Sequence, residues 1–595
     1  MASMNKGPQT NERTEMTNFK FVSQLDNHTI SKYSRDFIRD KLAFCLGHHE
    51  ACANYAGRSK WLPRRVIDVG LEDQDFVRLV NGSEIAEVSS DAPYVALSHT
   101  WGSARVMQLT KETMPLLKSG IQCQQLSRTF QHAIHTTRDL GFRYLWIDSL
   151  CIVQDSPDDW SEEASKMQDV YKSTICNIAA TGGSDSKAGF AFLRDARNIA
   201  PFLVQATWKD ISDIADPIMQ EKLVPGLYYC MDFDFWRDQV EEAPLNQRAW
   251  VLQERILSPR TVHFAQKQVF WQCRQQEACE TFPDALPQWS SPATALWSTW
   301  TNSTSFRKQL DELKSHGQNI APPGTRANLY ASWDKLLKTY TSCGLTRQED
   351  KFVAISSLVK EMQSVTGDEW LAGFWKTQII KHFCWRVEWE SIYLTGMMAQ
   401  GERLPISRPS CWRAPSWSWA STNLPVAFHQ DTMYNDLSYV SEIKEVEVTT
   451  LKSGQIEEGS SLLLRCFLHA GEFSRLEKSD LGRHTVVFRF NHGNYVRAGL
   501  CFDEYLDCPV EQLKKVYFAP TQQSFSGELR SRSVFSVVGL LLKSAGEENG
   551  VYERIGSFSV AVPSRSDLTF MWVAGHRAET EFEEFDGNRY TIRII

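Results

Sequence analysis

With 595 residues, the chain is too long for a single hydrophobic core, so about two to four domains are expected. Its hydrophobic content of 42% and its charged content of 23% are typical of folded proteins, and a net charge of −8 provides no basic surface for nucleic acid. The 14 cysteines lack the dense spacing of a secreted disulfide scaffold, and no apolar run reaches the roughly 18 residues of a membrane span. A cytoplasmic protein is therefore expected.

The N-terminal segment is predicted to contain a polar leader and one helix. Residues 1–30 lack the apolar core of a signal peptide, and helical spacing of apolar residues runs from Ser34 to about Ala53. Four soft ligands of the kind that bind zinc recur in this helix: Cys45, His48, His49 and Cys52. Because one continuous helix cannot easily surround a tetrahedral ion, we expect a packed helix face here and no metal.

The next part of the chain alternates strands and helices. Apolar runs predict strands at 64–69, 94–97, 144–147 and 175–180, and helical periodicity predicts helices at 126–139 and 159–172. Continuous apolar strands separated by helices are typical of right-handed crossovers in a parallel sheet. Functional groups are expected at the carboxyl ends of such strands, where this sequence has Asp148 and Thr181.

Further along, a short helix around Trp250 is ended by Ser258-Pro259 and precedes two strands at 261–264 and 268–272. Clusters of Pro, Ser, Thr and Gly predict a linker at 283–326, and helical periodicity returns from Ala331. After about residue 435, short β-like runs predict an antiparallel region, with an edge strand at 590–595.

These patterns divide the chain into four segments. They are an N-terminal leader and helix (1–60), an α/β domain (61–280), a linker and helical region with a Trp-rich motif (281–430), and a β-rich C-terminal domain (431–595).

Three polar residues of the α/β segment are candidates for a functional role. Asp148 either caps the following loop through backbone N–H groups or faces a ligand at the sheet edge. Cys151 follows the same strand end, but no histidine partner can be assigned to it, so a buried structural thiol is favoured over a nucleophile. Glu163 is interpreted as a solvated or capping acid in the first turn of a helix.

Glu254 lies four residues after Trp250, so both side chains project from one helix face. A carboxylate beside an indole near strand ends can bind ribose hydroxyls and an aromatic base. The same carboxylate can instead form an ordinary ion pair with Arg248 or Arg255.

Three separated blocks together resemble the HET domain of fungal heterokaryon-incompatibility proteins. They are residues 94–102 (YVALSHTWG), residues 145–171 with WIDSLCIVQD and W-x-x-E-x-x-x-M, and residues 248–255 (RAWVLQER). The resemblance covers roughly residues 90–275. Downstream, residues 350–355 (DKFVAI), 414–420 (APSWSWA) and 552–556 (YERIG) look like the region that commonly follows HET domains.

This resemblance implies non-self recognition and regulated cell death in fungi, with the HET domain as the death effector. It also implies a distant relation to TIR domains, which have a flavodoxin-like fold. Some TIR domains hydrolyse NAD with a glutamate in a Trp-Cys-x-x-Glu pattern. Trp250 and Glu254 keep this spacing, although Val251 replaces the cysteine, and Ser98 ends the strand where the TIR nucleotide pocket begins.

Two hypotheses follow from the resemblance. In the first, a flavodoxin/TIR-like, mostly parallel sheet precedes a helical segment and a β-rich region, and Glu254 hydrolyses NAD as a substrate, with no bound cofactor. The ligand would be bound by four further residues: Ser98, Trp101, Asp148 and Trp250. In the second, the chain is a non-enzymatic signalling module that contacts an incompatibility partner protein or a second copy of itself. A metal-dependent hydrolase would need ligands that the sequence does not assemble.

Overall fold

A computed structural model describes most of the chain, which divides into two compact units, Met1–Ser315 and His316–Ile595. The described ranges are 3–6, 25–55, 61–70, 74–89, 92–102, 106–207, 226–232, 234–287, 302–316, 324–388, 408–428, 436–451, 454–478, 484–490, 495–503, 516–529, 532–546, 549–562, 571–572 and 582–595. Most of the predicted leader and residues 288–301 of the predicted linker lie outside these ranges.

The first unit contains twelve described strands, which form one large and one small sheet. In chain order they are β1 (Ser3–Lys6), β2 (Arg65–Asp68), β3 (Phe76–Asn81), β4 (Tyr94–Ser98), β5 (Ile121–Gln122), β6 (Tyr144–Ile147), β7 (Cys176–Ala179), β8 (Phe202–Ala206), β9 (Gly226–Met231), β10 (Arg260–Phe264), β11 (Val269–Cys273) and β12 (Glu277–Cys279). The large sheet has nine strands in the order β12-β11-β10-β7-β4-β6-β2-β3-β5, and β1, β9 and β8 form the small sheet.

The centre of the large sheet is parallel, as the sequence predicts. Strands β10, β7, β4 and β6 run in the same direction, with Leu97 of β4 opposite Ile147 of β6 and Ile178 of β7. Every residue of β4 and β7 is buried, which explains why these strands are continuous apolar runs without alternation.

The strands outside this centre run antiparallel to their neighbours. Strand β2 is antiparallel to β6 and β3, and β11 is antiparallel to β10 and β12. The sheet is therefore mixed, with a parallel centre between antiparallel flanks. The two strands predicted at 261–264 and 268–272 form the hairpin β10–β11 on one of these flanks.

The α-helices of the first unit lie mainly in the connections of this sheet. They are α1 (Lys32–His48), α2 (Glu50–Tyr55), α3 (Gly82–Val88), α4 (Met114–Ser119), α5 (Arg128–Asp139), α6 (Asp148–Cys151), α7 (Pro157–Ser165), α8 (Met167–Ser173), α9 (Ala249–Leu257) and α10 (Asn302–His316). Helix α10 lies inside the segment predicted as a linker. Gly141 lies just after the end of α5. Its φ of 82° is a left-handed conformation that favours glycine.

The helix predicted at 159–172 is interrupted. Lys166, with φ −98° and ψ −1°, separates α7 from α8. Glu163 consequently lies near the end of α7 rather than in its first turn, and it is buried. The interpretation of Glu163 as a solvated or capping acid is therefore wrong: burial raises the pKa of its carboxyl group.

The second unit combines helices with a large sheet. Its α-helices are α11 (Thr325–Ser342), α12 (Val353–Thr366) and α13 (Ile379–His382), which fall in the predicted helical region. Four short strands form two antiparallel pairs: β13 (Trp370–Leu371) with β14 (Phe374–Trp375), and β15 (Arg386–Val387) with β16 (Val426–Ala427).

The large sheet of the second unit has eleven strands. They are β17 (Asp436–Tyr439), β18 (Glu442–Glu447), β19 (Ser461–Cys466), β20 (His469–Lys478), β21 (His484–Phe490), β22 (Tyr495–Phe502), β23 (Val516–Leu529), β24 (Arg532–Ser544), β25 (Val551–Val562), β26 (Glu584–Phe585) and β27 (Tyr590–Ile594). The predicted antiparallel character is confirmed, apart from the parallel pair β25–β27. Strand β27 lies between β25 and β19, so the prediction that it forms an edge strand is wrong. No described helix in either unit is long and apolar enough to cross a membrane.

Candidate functional site

Two polar side chains are buried on neighbouring strands of the parallel centre. Ser98 is the last residue of β4, and Asn177 lies on the adjacent strand β7. Each is 1% exposed, and the Asn177 side-chain amide donates a hydrogen bond of 3.0 Å to the Ser98 hydroxyl oxygen. Buried polar groups are costly unless they are hydrogen-bonded, and this pair satisfies each member through the other.

The hydroxyl group of Ser98 donates its own hydrogen bond to Glu254. The acceptor is Oε2 of the Glu254 carboxylate on α9. Glu254 is only 5% exposed, and the hydroxyl of Tyr171 on α8 interacts with the same carboxylate. Helix α9, the end of β4 and helix α8 thus bring together the side-chain oxygens of Glu254, Ser98 and Tyr171.

The pKa of the Glu254 carboxyl group is raised to about 7. Burial is the main cause, and the negative charge of Asp148 adds to it, while hydrogen bonds from Ser98 and Tyr171 and the charge of Arg248 act in the opposite direction. Among the described residues, no cation lies within salt-bridge distance of this carboxylate. Glu254 therefore exchanges its proton near neutral pH, which is a property of catalytic acids and bases.

The two arginines that the sequence offered as ion-pair partners have other roles. Arg255 forms a buried bidentate pair with Glu241, at 2.9 and 2.8 Å, so the alternative in which Arg255 pairs with Glu254 is not observed. Arg248 donates a hydrogen bond to the backbone carbonyl of His99 and acts on Glu254 only through its charge.

Asp148 caps the loop that follows β6, as one of the two alternatives predicts, and its second oxygen contacts Trp101. Its Oδ1 accepts a hydrogen bond of 2.7 Å from the backbone N–H of Ser149, as a cap does, and its Oδ2 accepts one of 2.8 Å from the indole N–H of Trp101. The Asp148 side chain is 23% exposed, unlike Glu254. The Asp148–Trp101 pair is therefore the more open part of the cluster.

Gly102 makes the turn after Trp101 feasible. Its φ of 67° is in the left-handed region, and a Cβ atom there would lie 2.4 Å from the Cβ of Asp185. The Ser186 hydroxyl donates a hydrogen bond of 2.9 Å to the carbonyl of Thr100, which holds the two segments together. The glycine of the His-Thr-Trp-Gly motif thus allows the backbone approach that positions the indole.

His99 is a buried residue of the cluster that the sequence did not single out. Its Nδ1 lies 3.7 Å from Oδ1 of Asp148, and neither ring nitrogen has a hydrogen-bond partner among the described residues. Burial lowers the pKa of His99 to about 4, with the charge of Arg248 acting in the same direction and that of Asp148 opposing it. His99 is therefore a neutral imidazole at pH 7 with free hydrogen-bonding capacity.

Trp250 lies in a different environment from Trp101. Its ring packs edge-to-face against Trp160, with 6.3 Å between the ring centroids, and among the described residues it makes no ring contact with Trp101. Trp101 instead lies parallel to His99, at 6.4 Å. The structure thus brings Ser98, Glu254, Asp148 and Trp101 into one network and places Trp250 next to it on α9.

Cys151 has the environment of a structural thiol. It is fully buried, and burial raises its pKa to about 12, so the thiolate is not populated at neutral pH. The sequence interpretation favoured this role over that of a nucleophile.

Comparison with known proteins identifies the part of the chain that carries this network. Residues 94–254 match the family model "Heterokaryon incompatibility protein (HET)", which implies a function of the heterokaryon-incompatibility type. The match begins at the first residue of β4 and ends at Glu254, so it contains every residue of the network. No curated protein and no solved structure matches the chain.

Proposed function

Residues 94–254 of this chain are a HET domain, and on that premise we propose that the protein is a cytoplasmic effector of fungal non-self recognition that causes regulated cell death by hydrolysing NAD. The observation that carries the proposal is the state of Glu254. A carboxylate that is buried without a cation, held by Ser98 beside the ends of parallel strands, is costly for stability and suited to chemistry.

In the proposed reaction, the ionised form of Glu254 acts on the ribose that carries the nicotinamide. Its oxygens accept hydrogen bonds from the ribose hydroxyls and stabilise the positive charge that develops as the C–N bond breaks. Nicotinamide leaves with the bonding electron pair, water adds to the ribose carbon, and one proton is released. Because the pKa of Glu254 is about 7, the carboxylate is available from neutral pH upward.

The other residues of the network position this acid and the substrate. Ser98 and Asn177 fix the carboxylate, since the amide holds the hydroxyl and the hydroxyl donates to Oε2. Trp101, oriented by Asp148, offers an aromatic face for the base, and Trp250 is proposed to line the entrance from α9. The parallel centre of the sheet supports our further proposal that the domain is related to TIR domains.

The test is release of nicotinamide from NAD by the purified full-length protein, alone and after chemical or fusion-driven oligomerisation. We expect Glu254→Gln to reduce the rate by at least about 100-fold. Glu163→Gln is the matched control, because Glu163 is also buried with a raised pKa but does not contact the network. If all three proteins are equally inert under both conditions, the enzymatic proposal is wrong.

A second candidate function is a signalling module that acts by protein contacts. It is favoured by the small sheet, where Leu203 of β8 is 51% exposed and Leu227 of β9 is 49% exposed. Their register places them diagonally on the same face, so they form an apolar surface suited to a partner protein or a second copy of the chain. In this case Leu203→Glu abolishes cell death, whereas Glu254→Gln does not.

A further inference from the structure

A second cluster of reactive side chains lies in the first unit, outside the network around Glu254. It contains Cys45, His49, Cys52 and Cys273, whose potential ligand atoms all lie within 4.8 Å of one another. The three cysteines are buried and unpaired as disulfides. None of the four residues has a role in the proposed function.

The backbone explains how these residues meet. Helix α1 ends at His48, and His49 adopts an extended conformation with φ −94° and ψ 96° before α2 begins at Glu50. Cys45 therefore comes from one helix and Cys52 from another, with His49 at the break between them. Cys273 approaches from the end of β11. The objection that a single helix cannot surround an ion does not apply to this arrangement.

We propose that Cys45, His49, Cys52 and Cys273 bind one Zn²⁺ ion as a structural site. Three thiolates and one imidazole are a common ligand set for tetrahedral zinc, and four protein ligands leave no open position for a substrate. Bonds of about 2.3 Å to sulfur and about 2.0 Å to nitrogen place tetrahedral ligands roughly 3.5 Å apart. Nδ1 of His49 and Sγ of Cys273 are 3.3 Å apart, close to that value.

Hydrogen-bond donors face two of the sulfur atoms of the cluster. Nε of Arg260 donates a hydrogen bond of 3.1 Å to Sγ of Cys45, and the backbone N–H of Gln276 donates one of 3.3 Å to Sγ of Cys273. Arg260 is 1% exposed, and among the described residues no carboxylate pairs with it. A zinc-bound thiolate supplies the negative charge that this buried guanidinium otherwise lacks, and such donors orient the ligands of metal sites.

The neighbouring His48 is excluded from the cluster by its own contacts. Its Nδ1 lies 3.0 Å from the carbonyl oxygen of Phe44, and its ring stacks on the Phe44 ring at 4.5 Å. Of the two adjacent histidines, only His49 belongs to the ligand set, so a His48 variant serves as a control for a His49 variant.

A zinc ion here would fasten the N-terminal helices to the antiparallel flank of the large sheet. Helices α1 and α2 supply one ligand each, the break between them supplies His49, and β11 supplies the fourth ligand from a distant part of the chain. A second contact also joins α2 to the segment after β11: the backbone N–H of Ala51 donates a hydrogen bond of 3.1 Å to the side-chain oxygen of Gln275. The unfolded chain does not hold the four ligands together as a site. Zinc therefore binds the folded state, and its binding free energy adds to the stability of the fold.

The experiment measures zinc by mass spectrometry in the full-length protein after purification and after exposure to EDTA and Zn²⁺. We expect about one zinc ion per chain, a lower unfolding temperature after EDTA, and recovery when Zn²⁺ is restored. His49→Ala is expected to weaken zinc affinity by more than about 100-fold, whereas His48→Ala leaves it unchanged. Cys273→Ser and Cys279→Ser form a second matched pair, because Cys279 is a buried cysteine of the adjacent strand β12 outside the cluster.

Cobalt provides a measurement on the wild-type protein if a variant fails to fold. Co²⁺ added to the zinc-depleted full-length chain is expected to give the visible bands of tetrahedral coordination and the near-ultraviolet bands of thiolate ligands. The proposal is overturned if the depleted wild-type protein takes up neither Zn²⁺ nor Co²⁺. It is also overturned if Cys273→Ser or His49→Ala folds and binds Zn²⁺ as tightly as its control.

Discussion

Two buried carboxylates, one from each unit, are stabilised in opposite ways. In the second unit, Asp503 is fully buried and accepts two hydrogen bonds of 3.1 Å from the guanidinium of Arg554. In the first unit, Glu254 is buried with neutral hydrogen-bond donors and no salt bridge among the described residues. One carboxylate is compensated by a cation, and the other is not.

The difference supports a structural role for Asp503 and the functional role that we propose for Glu254. Arg554 also donates hydrogen bonds to the backbone carbonyls of Phe383 and Trp385, and its guanidinium lies 3.6 Å from the Trp385 ring centroid. These contacts join Arg554 to two separate parts of the chain, so the cluster fixes those segments in place. Around Glu254 the charge is left uncompensated, which costs stability and leaves the carboxylate ready to interact with a ligand.

The largest effect is expected from breaking the compensated pair. Arg554→Met leaves Asp503 buried without a counter-charge and removes the donors to two carbonyls, so we expect the free energy of unfolding to fall by about 3–5 kcal/mol. Urea denaturation measures this change in the free energy of unfolding. Arg593→Met is the control, since its ion pair with Glu583 is partly exposed and should contribute less than about 1 kcal/mol. A similar small loss in both variants would contradict the distinction.

Removing the charge of Glu254 is expected to have the opposite effect at high pH. Its folded-state pKa of about 7 exceeds the ordinary value of 4.5, so the stability it contributes is complete below pH 4.5 and is lost as the pH rises through 7. Between those pH values the wild-type protein should lose about 3 kcal/mol more than Glu254→Gln. Denaturation curves at several pH values measure this difference. Parallel pH dependences of the two proteins would show that Glu254 titrates normally.

A smaller effect is expected from Asp148→Asn. The negative charge of Asp148 contributes to the raised pKa of Glu254, so its removal should lower that pKa. The apparent pKa of Glu254 can be read from the pH dependence of nicotinamide release or from that of the stability difference described above. It should decrease in Asp148→Asn, by less than the increase that burial causes. An unchanged or higher value would mean that the two carboxylates do not interact.

The smallest effect is expected from Trp101→Phe, which removes the 2.8 Å hydrogen bond to Asp148 and keeps an aromatic ring. We expect a loss of about 1 kcal/mol in the free energy of unfolding and a weaker binding of NAD. A double-mutant cycle with Asp148→Asn measures the coupling between the two side chains. A coupling energy of zero would mean that the indole is not held by this carboxylate.

Continuous apolar runs predict β4, β6 and β7 at the centre of the first sheet, and the structure confirms them. Spacing alone leaves an ion pair open for Glu254, and only the resemblance to HET and TIR domains implies that Ser98 and Glu254 belong to one site. Strand direction on the flanks could not be predicted, because β2 and β11 are buried along their whole length and so lack the alternation of a half-exposed antiparallel strand. Asn177 was missed although a polar residue inside an apolar strand was a visible signal.

The sulfur cluster shows a different limit. The sequence pattern of Cys45, His48, His49 and Cys52 resembles a ligand set, but it predicts neither the helix break at His49 nor the distant Cys273. Nothing in the local sequence connects Cys273 with α1, since their contact depends on the order of strands in the sheet. Tertiary contacts of this kind are beyond an interpretation of spacing alone.

The most direct test of the central claim, that Glu254 is the functional acid of the HET domain, is cell viability in a fungus expressing the full chain. Wild type, Glu254→Gln and Glu163→Gln are compared at equal protein levels. We expect death with wild type and Glu163→Gln and survival with Glu254→Gln. Death at the wild-type rate with Glu254→Gln would contradict the claim.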